Sequence, residues 1–303
     1  MIELTPLMEP DWVFLAGGDR VFSITLVSKA PLLAEVSIAH TLLAKVTRVD
    51  ENSFSESAYR INVNCSNDAA WSLFQKLRVA LPDIDIAVAP KRDKPYRLLI
   101  CDMDMTIVDA ETLDEVGHLL GIGEKIATIT RKAMRGEINF RQALRERVEL
   151  LAGQPVSLFE QVLAECRLMP GAENLLEQAK AMGMHSILVS GGFAQIAMPI
   201  AQRLGFDEVY CNQLKLDGDR LTGEVNEPMI NAEYKCELLK RRAQGLSISL
   251  EDCCAIGDGA NDIPMIETAG LGIAYHGKPA MRAVTTYQIN HTDLSTVIRF
   301  LTV

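Results

Sequence analysis

The 303-residue sequence lacks several features that would assign it to special classes of protein. It has no run of about 18 apolar residues, the length that a membrane-spanning helix needs, although 48% of its residues are hydrophobic. Its first residues, "MIELTPLMEPDW", lack the basic segment followed by an apolar segment that marks a signal peptide. The seven cysteines form no C-x-x-C pair. We therefore expect a soluble cytoplasmic protein with reduced thiols.

Positive charge is also scarce, since 30 lysines and arginines stand against 40 acidic residues and the net charge is −10. Nucleic acids and anionic membranes bind positively charged surfaces, so we expect neither as a partner. A small anionic ligand would need a local group of cations or a metal ion. The composition leaves the oligomeric state open, including a homodimer.

A proline-flanked charged segment, "APKRDKPYR", is typical of a linker between domains. Before it, helical periodicity covers residues 31–44 and 68–81. The strand-like runs that flank these helices are "VFSITLVS", "YRINVNC" and "IDIAVAP". We predict a small α+β domain of ferredoxin type over residues 1–90, a linker over 91–97 and a second domain over 98–303.

In the second domain, short apolar runs alternate with helical patterns, which is typical of a parallel sheet covered on both faces. The predicted strands are "YRLLICD", "HSILVSGG", "EVYCN", "CCAIGDG" and "GLGIAY". The interval from about 113 to 170 is too long and too helical for a simple crossover. We interpret it as an inserted helical cap on an α/β domain.

Three predicted strands end in polar residues, in "ICDMDMT", "LVSGG" and "AIGDGANDIPM". Ligands bind beyond the carboxyl ends of the strands in an open α/β sheet. That edge would gather the side chains of Asp102, Asp104, Ser190, Asp258, Asn261 and Asp262. Four acids would repel one another without a cation, and an oxygen ligand set without a histidine–cysteine cluster favours Mg²⁺ over zinc.

Two acids beside a metal ion can carry out phosphoryl transfer. Asp102 can attack phosphorus and form an aspartyl-phosphate, while Asp104 can protonate the leaving oxygen and later deprotonate water. The candidate groups that would hold the phosphate or offset its charge are Thr106, Ser190, Lys235 and the amides of Gly191 and Gly192. We expect these two glycines to open a helix, whose first amides bind anions.

The segments "DMDMT", "LVSGG", Lys235 and "GDGAND" resemble, in order and spacing, the four motifs of the haloacid dehalogenase phosphatase superfamily. The segment "ETLDEVGHLLGIGEKIATITRKAMRGEINFRQALRERVELLAG" resembles the cap of phosphoserine phosphatases. The resemblance covers nearly everything from about residue 97 onward and implies a Rossmannoid sheet with a helical cap. It also implies Mg²⁺-dependent hydrolysis of O-phospho-L-serine, the last step of serine biosynthesis. The N-terminal part more weakly resembles the ACT-like extension of bacterial members.

The resemblance also implies roles for individual residues. Asp102 is the implied nucleophile and Asp104 the implied general acid and base. The implied metal ligands are Asp102, the backbone carbonyl of Asp104, and Asp258, with Asp262 in support. The implied phosphate-site residues are Ser190, Gly191, Lys235 and Asn261. The implied substrate pocket has Glu111 for the serine ammonium, Arg147 for its carboxylate, and Met134 and Phe140 as walls; a guanidinium binds a carboxylate in a bidentate manner.

One position departs from the family pattern, because Met105 stands where a serine is usual. A methionine side chain donates no hydrogen bond, but the backbone amide at this position is retained. We expect altered packing near the site rather than lost chemistry.

Other functions are open to such a sequence. The same chemistry could act on another small phosphomonoester, such as phosphothreonine. A signalling receiver also accepts phosphate on aspartate, but it has no long helical cap. A non-catalytic amino-acid sensor is suggested by the N-terminal part and disfavoured by the retention of both Asp102 and Asp104. Ser190 lacks the glycine two residues earlier that a hydrolase nucleophile elbow requires, and "GIGEKI" lacks the third glycine of a dinucleotide-binding loop.

Overall fold

The structure is a computed structural model that describes residues 8–9, 19–43, 48–55 and 57–301. The prediction that no signal peptide is present concerns residues 1–12, most of which lie outside the described residues, as does residue 44 at the end of the first predicted helix. Among the described helices, none has the length and apolar character needed to span a bilayer.

The N-terminal part is a four-stranded antiparallel sheet with two helices packed against it. Its elements are β1 (Arg20–Val27), α1 (Leu33–Leu43), β2 (Arg48–Ser55), β3 (Ala58–Cys65), α2 (Asn67–Ala80) and β4 (Asp85–Pro90). The strand order is β2-β3-β1-β4, which is the ferredoxin-type arrangement that the sequence predicted. Alternate residues of β1, Phe22, Ile24 and Leu26, are buried in one core with the helices.

The sequence prediction missed β2, whose residues "RVDENSFS" show no apolar alternation. The strand lies at the edge of the sheet and, among the described strands, pairs only with β3. Edge strands commonly carry polar and charged residues, which oppose pairing with other chains. Hydrophobic periodicity therefore gives little signal for such a strand.

The remainder of the described chain is an α/β unit. Its elements, in chain order, are β5 (Leu98–Cys101), α3 (Thr112–Leu119), α4 (Gly123–Met134), α5 (Phe140–Glu149), α6 (Leu158–Glu165), α7 (Ala172–Ala181), β6 (His185–Phe193), α8 (Ala194–Leu204), β7 (Glu208–Asn212), β8 (Leu214–Asp217), β9 (Arg220–Val225), α9 (Ala232–Gly245), β10 (Cys253–Gly257), α10 (Ile263–Thr268), β11 (Leu271–Tyr275), α11 (Pro279–Ala283), β12 (Tyr287–Ile289) and α12 (Thr296–Leu301).

Six of these strands form one parallel sheet in the order β12-β11-β10-β5-β6-β7. All four residues of β5 are buried. Leu98 and Ile100 pack in the core on one face, and Leu99 and Cys101 pack in the core on the other. The continuous apolar run of β5 is thus explained by helices on both faces, and the predicted α/β fold is confirmed.

The predicted helical insert is also confirmed, and it consists of α3 to α6. The chain enters and leaves it side by side, because Val108 and Leu168 form an antiparallel bridge. The amide of Asp109 donates to the carbonyl of Arg167 at 2.9 Å, and that of Met169 donates to Ile107 at 2.8 Å. The insert therefore stands on a stem of two short antiparallel segments.

A two-stranded hairpin, β8–β9, was missed by the sequence prediction. Its strands are joined by the two-residue turn Gly218–Asp219, in which Gly218 has φ of 61°. The two turn residues within "LDGDR" are Gly-Asp, a two-residue loop that is typical of a hairpin. The hairpin pairs with the loop between α5 and α6 of the insert through hydrogen bonds between Leu221 and both Gly153 and Gln154.

The N-terminal sheet contacts the α/β unit through Asp85, the first residue of β4. The Asp85 carboxylate is 1% exposed. It accepts hydrogen bonds from the amides of Asn290, His291 and Thr292 and from the Thr292 hydroxyl. A buried charge with this many donors fixes the loop after β12 to the N-terminal sheet.

The predicted linker over residues 91–97 lies between the end of β4 at Pro90 and the start of β5 at Leu98. Tyr96 within it is 4% exposed and packs against the protein, whereas Lys91, Asp93, Lys94, Pro95 and Arg97 are exposed. The division into domains at residues 1–90 and 98–303 stays a proposal.

Candidate active site

A cavity of about 450 Å³ lies between the carboxyl edge of the parallel sheet and the helical insert. Most of the side chains that the sequence analysis singled out line it together. They are Asp102, Asp104, Glu111, Met134, Phe140, Arg147, Ser190, Gly191, Asp258 and Asn261. Three predicted residues, Lys235, Asp262 and Thr106, are buried behind its surface.

Two buried acids at the base of the cavity share one buried lysine. The Lys235 ammonium donates to Asp102 Oδ1 at 2.6 Å and to Asp262 Oδ1 at 2.6 Å. Helix α9 presents Lys235 one turn after its start, where the Asn231 side chain caps the helix by accepting from the Tyr234 amide at 2.9 Å. Burial lowers the pKa of Lys235, but the charges of Asp102 and Asp262 outweigh burial and raise it. The lysine is therefore held in its charged form.

The groups around Asp102 are more strongly negative than positive. Burial raises the pKa of Asp102 well above its usual value, and the charge of Asp262 raises it further, while Lys235 opposes both. Burial likewise raises the pKa of Asp258. A second cation in this group would stabilise the charged carboxylates.

The three carboxylates of Asp102, Asp258 and Asp262 offer oxygen atoms that all lie within 4.8 Å of one another. All three residues are buried. This is a donor set of oxygen atoms alone, which suits a hard divalent cation. The group can hold a metal ion.

Asp104 lies beside the insert and accepts hydrogen bonds from the Thr112 hydroxyl at 3.2 and 3.1 Å. Burial, followed by the charge of Glu111, raises the pKa of Asp104 to about 7. A carboxyl group with such a pKa can carry a proton near neutral pH and give it up again.

Met105, the departure from the family pattern, has a left-handed backbone with φ of 55°. Its amide donates to the Ala110 carbonyl at 3.3 Å, and the amides of Thr106, Ile107 and Val108 all donate to Met103. The Met105 side chain packs against the core. The backbone amide is thus still a hydrogen-bond donor at this position. The expectation that Met105 alters the packing without loss of the chemistry stays a prediction.

Ser190 and the two glycines after it form the second wall at the sheet edge. The Ser190 hydroxyl accepts from the Gly192 amide at 2.8 Å. A Cβ on Gly192 would lie 3.0 Å from Ser190 Oγ and 3.2 Å from Thr112 Oγ1. The sequence analysis expected these glycines to open a helix, but they end β6 and the helix begins at Ala194.

The insert supplies the opposite wall. Arg147 on α5 donates from Nε to the Ala143 carbonyl at 3.2 Å, and Glu111 precedes α3. Burial lowers the pKa of Arg147, while Asp114 and Glu111 raise it. Of the predicted walls, Met134 is 82% exposed and Phe140 is 36% exposed.

Sequence reasoning missed three polar residues at this site: Thr112, Asp114 and Lys278. Asp114 and Lys278 line the cavity, and Thr112 contacts Asp104. Lys278 follows β11. The polar residues after that strand were therefore a signal of the same kind as the three strand ends from which the site was predicted. Thr112 and Asp114 lie on α3, where nothing in the sequence distinguishes them from ordinary helix residues.

We expect Lys235→Met to lower the free energy of unfolding by about 3–5 kcal/mol in the presence of EDTA, because it leaves two buried carboxylates without their partner. Mg²⁺ should restore part of the loss. Urea unfolding with and without Mg²⁺ measures both effects. The matched control is Lys240→Met on the same helix, which removes an exposed pair with Glu237 and should lower the free energy of unfolding far less. Equal effects of the two variants would contradict this account of the site.

Comparisons with known proteins show the family of the chain. The family model described as haloacid dehalogenase-like hydrolase matches residues 99–267. The phosphoserine phosphatase of Lactococcus lactis is 43% identical over 204 residues, which are 67% of this chain and 94% of that protein. That of Methanocaldococcus jannaschii is 36% identical over 209 residues, 69% of this chain and 99% of that protein.

Solved structures of haloacid dehalogenase-like hydrolases also superpose on this chain. A haloacid dehalogenase family hydrolase from Salmonella enterica superposes with a TM-score of 0.83 at 28% identity, covering 92% of this chain and 98% of that one. A phospho-aspartyl intermediate analogue of phosphoserine phosphatase superposes with a TM-score of 0.64 at 36% identity, covering 69% of this chain and all of that one. The chain belongs to the haloacid dehalogenase-like hydrolases and, within them, to the phosphoserine phosphatase family.

Proposed function

We propose that the chain is a Mg²⁺-dependent phosphatase that hydrolyses O-phospho-L-serine to L-serine and phosphate. The observation that carries the proposal is the cavity itself, in which the paired acids Asp102 and Asp104 face an insert wall with Glu111 and Arg147. One side of the cavity suits phosphoryl transfer, and the other suits an amino-acid head group. The similarity to phosphoserine phosphatases over two thirds of the chain supports this substrate.

In the first step, a carboxylate oxygen of Asp102 attacks phosphorus and forms an acyl phosphate while the bond from phosphorus to the serine oxygen breaks. Lys235 supports this role because its ammonium holds Asp102 Oδ1 and orients the carboxylate. In the second step, water attacks phosphorus, and Asp102 is released together with inorganic phosphate.

Asp104 serves both steps as the proton carrier. It gives its proton to the departing serine oxygen and then takes a proton from the attacking water. Its raised pKa, about 7, supports the protonated form at the start of the reaction. The hydrogen bond from Thr112 keeps the carboxyl group in position.

The group of Asp102, Asp258 and Asp262 fits Mg²⁺, because it offers only oxygen ligands and the residues carry more negative charge than Lys235 neutralises. The backbone carbonyl of Asp104 would complete the set of protein ligands. When bound, the ion offsets the negative charge of the phosphate and of the attacking carboxylate.

The remaining residues would bind the substrate. Ser190, the Gly191 amide, Asn261 and Lys235 would hold the phosphate, with Thr106 supporting the loop from behind. Glu111 would accept the serine ammonium and Arg147 its carboxylate. Met134 and Phe140 would cover the substrate once the insert has closed on it.

We also propose a cytoplasmic location, because all seven cysteines are free thiols, as expected in a reducing compartment.

A phosphate-release assay with phosphoserine tests the proposed function. Activity should be lost in EDTA and restored by Mg²⁺. Asp102→Asn should lower kcat about 10³-fold or more, because an amide oxygen is a poor nucleophile. Survival of activity in Asp102→Asn would exclude the covalent mechanism.

The pH dependence should report on Asp104. Because the leaving oxygen needs a proton, kcat/KM should fall as the pH rises through the pKa of this acid. The Thr112 hydroxyl lowers that pKa by hydrogen bonding to the carboxylate. Thr112→Val should therefore move the alkaline limb to higher pH. Thr130→Val, on another part of the cavity wall, is the control and should leave the alkaline limb of the pH profile in place. An alkaline limb that does not move in Thr112→Val would argue against Asp104 as the acid.

Substrate selectivity should depend on Arg147. Arg147→Met should lower kcat/KM for phosphoserine about 10- to 100-fold through loss of a charged hydrogen-bonding partner. It should change little for phosphoethanolamine, which has no carboxylate. Arg145→Met, which removes an exposed arginine of the same helix that pairs with Glu227, is the matched control. Equal losses of kcat/KM on both substrates in Arg147→Met would contradict the role assigned to Arg147. Measuring kcat/KM for phosphothreonine would test that related compound as an alternative substrate.

A further inference from the structure

Lys278 is a second lysine at the sheet edge that the mechanism above does not use. It lies in the loop after β11, and its amide donates to the Asp258 carbonyl at 2.9 Å. The His276 amide fixes the same loop by donating to the Ile289 carbonyl at 2.7 Å. The backbone of this loop is thus tied to the residue that follows β10.

The Lys278 ammonium contacts two acids that have other proposed roles. It lies 3.0 Å from Asp258 Oδ2, in the metal-binding group, and 3.3 Å from Glu111 Oε1, on the insert side. Among the described residues that line the cavity, Arg147 is the only other cationic side chain. Lys278 therefore places a positive charge directly on the carboxylate of Asp258, one of the three acids that can hold a metal ion.

The two lysines at this edge differ in how firmly they are held. Lys235 is 1% exposed and lies between two buried carboxylates, whereas the Lys278 side chain is 58% exposed. Asp258 is buried, but the ammonium of its partner reaches solvent, and a lysine ammonium on a flexible four-carbon stem is easily repositioned. Lys235 is a fixed counter-ion, while Lys278 can leave Asp258 at low cost.

We infer that Lys278 is an internal competitor of the divalent cation: it neutralises Asp258 in the metal-free protein and gives up that carboxylate when the ion binds. The inference rests on the proposed function, since it concerns the same metal-binding group. Its contact with Glu111 gives the ammonium a second partner at the cavity mouth after the exchange. Lys278 would thereby keep the metal-free acids from repelling one another and would weaken metal binding in return.

Titration calorimetry of Mg²⁺ into the metal-stripped full-length protein, without substrate, tests the inference. Lys278→Met should bind Mg²⁺ about two- to fivefold more tightly than the wild type, because it removes a competing ion pair whose lysine is exposed and whose interaction is partly screened by solvent. Lys278→Arg keeps the charge and should bind with nearly wild-type affinity. Lys215→Met is the matched control, because Lys215 is 49% exposed and pairs with Glu224 far from the cavity; it should bind like the wild type.

Unchanged or weaker Mg²⁺ binding by Lys278→Met would overturn the inference, as would equal tightening in Lys215→Met, which would indicate a general effect of net charge. A wild-type protein that fails to bind Mg²⁺ would overturn both the inference and the metal dependence of the proposed function. A wild type that binds Mg²⁺ and releases phosphate from phosphoserine, with no tightening in Lys278→Met, would overturn the inference alone.

Discussion

Asp102 and Asp262 share the buried end of the sheet because the Lys235 ammonium lies 2.6 Å from an oxygen of each. Burying carboxylates without a partner costs free energy, so the surrounding helix and strand have to keep this lysine in position. Helix α9 has to start where Asn231 caps it, and Gly257 has to lack a side chain, since a Cβ there would lie 2.5 Å from Asp262 Oδ2. The remaining charge imbalance favours a metal ion.

The division of labour between sheet and insert follows from this arrangement. The sheet edge concentrates negative charge around a buried cation, which suits attack on phosphorus and the binding of a metal ion. The insert contributes Glu111 and Arg147, whose opposite charges match an amino-acid head group. Asp104 lies between the two, hydrogen-bonded to Thr112 of the insert, so the proposed proton transfer by Asp104 would depend on the position of the insert relative to the sheet.

Much of this was predictable from the sequence, because the signals were local. The apolar runs of β5 and β10 indicated buried strands, and the polar residues directly after them indicated the site. Other features depend on distant parts of the chain. The pairing of Lys235 with Asp262, 27 residues later, follows from how α9 packs and leaves no mark in either segment. The polar strand β2 was missed because an edge strand need not alternate.

The sequence pattern also failed to predict details of the backbone, such as the residue at which a helix begins. Motif order brought Ser190 to the correct edge, yet the helix after it starts at Ala194, later than the glycines suggested. Lys278 was missed although it follows a correctly predicted strand, because a single lysine in a loop resembles any surface lysine. Its significance comes from its 3.0 Å contact with Asp258, which only three-dimensional structure reveals.

The stem of the insert has an evolutionary consequence. The chain enters the insert beside Val108 and leaves it beside Leu168, and these two segments are hydrogen-bonded neighbours. The intervening helices can therefore be lengthened, shortened or exchanged without changing the gap that the sheet must close. New substrates can be acquired by remodelling this one module, while the machinery that breaks the phosphate ester is inherited intact.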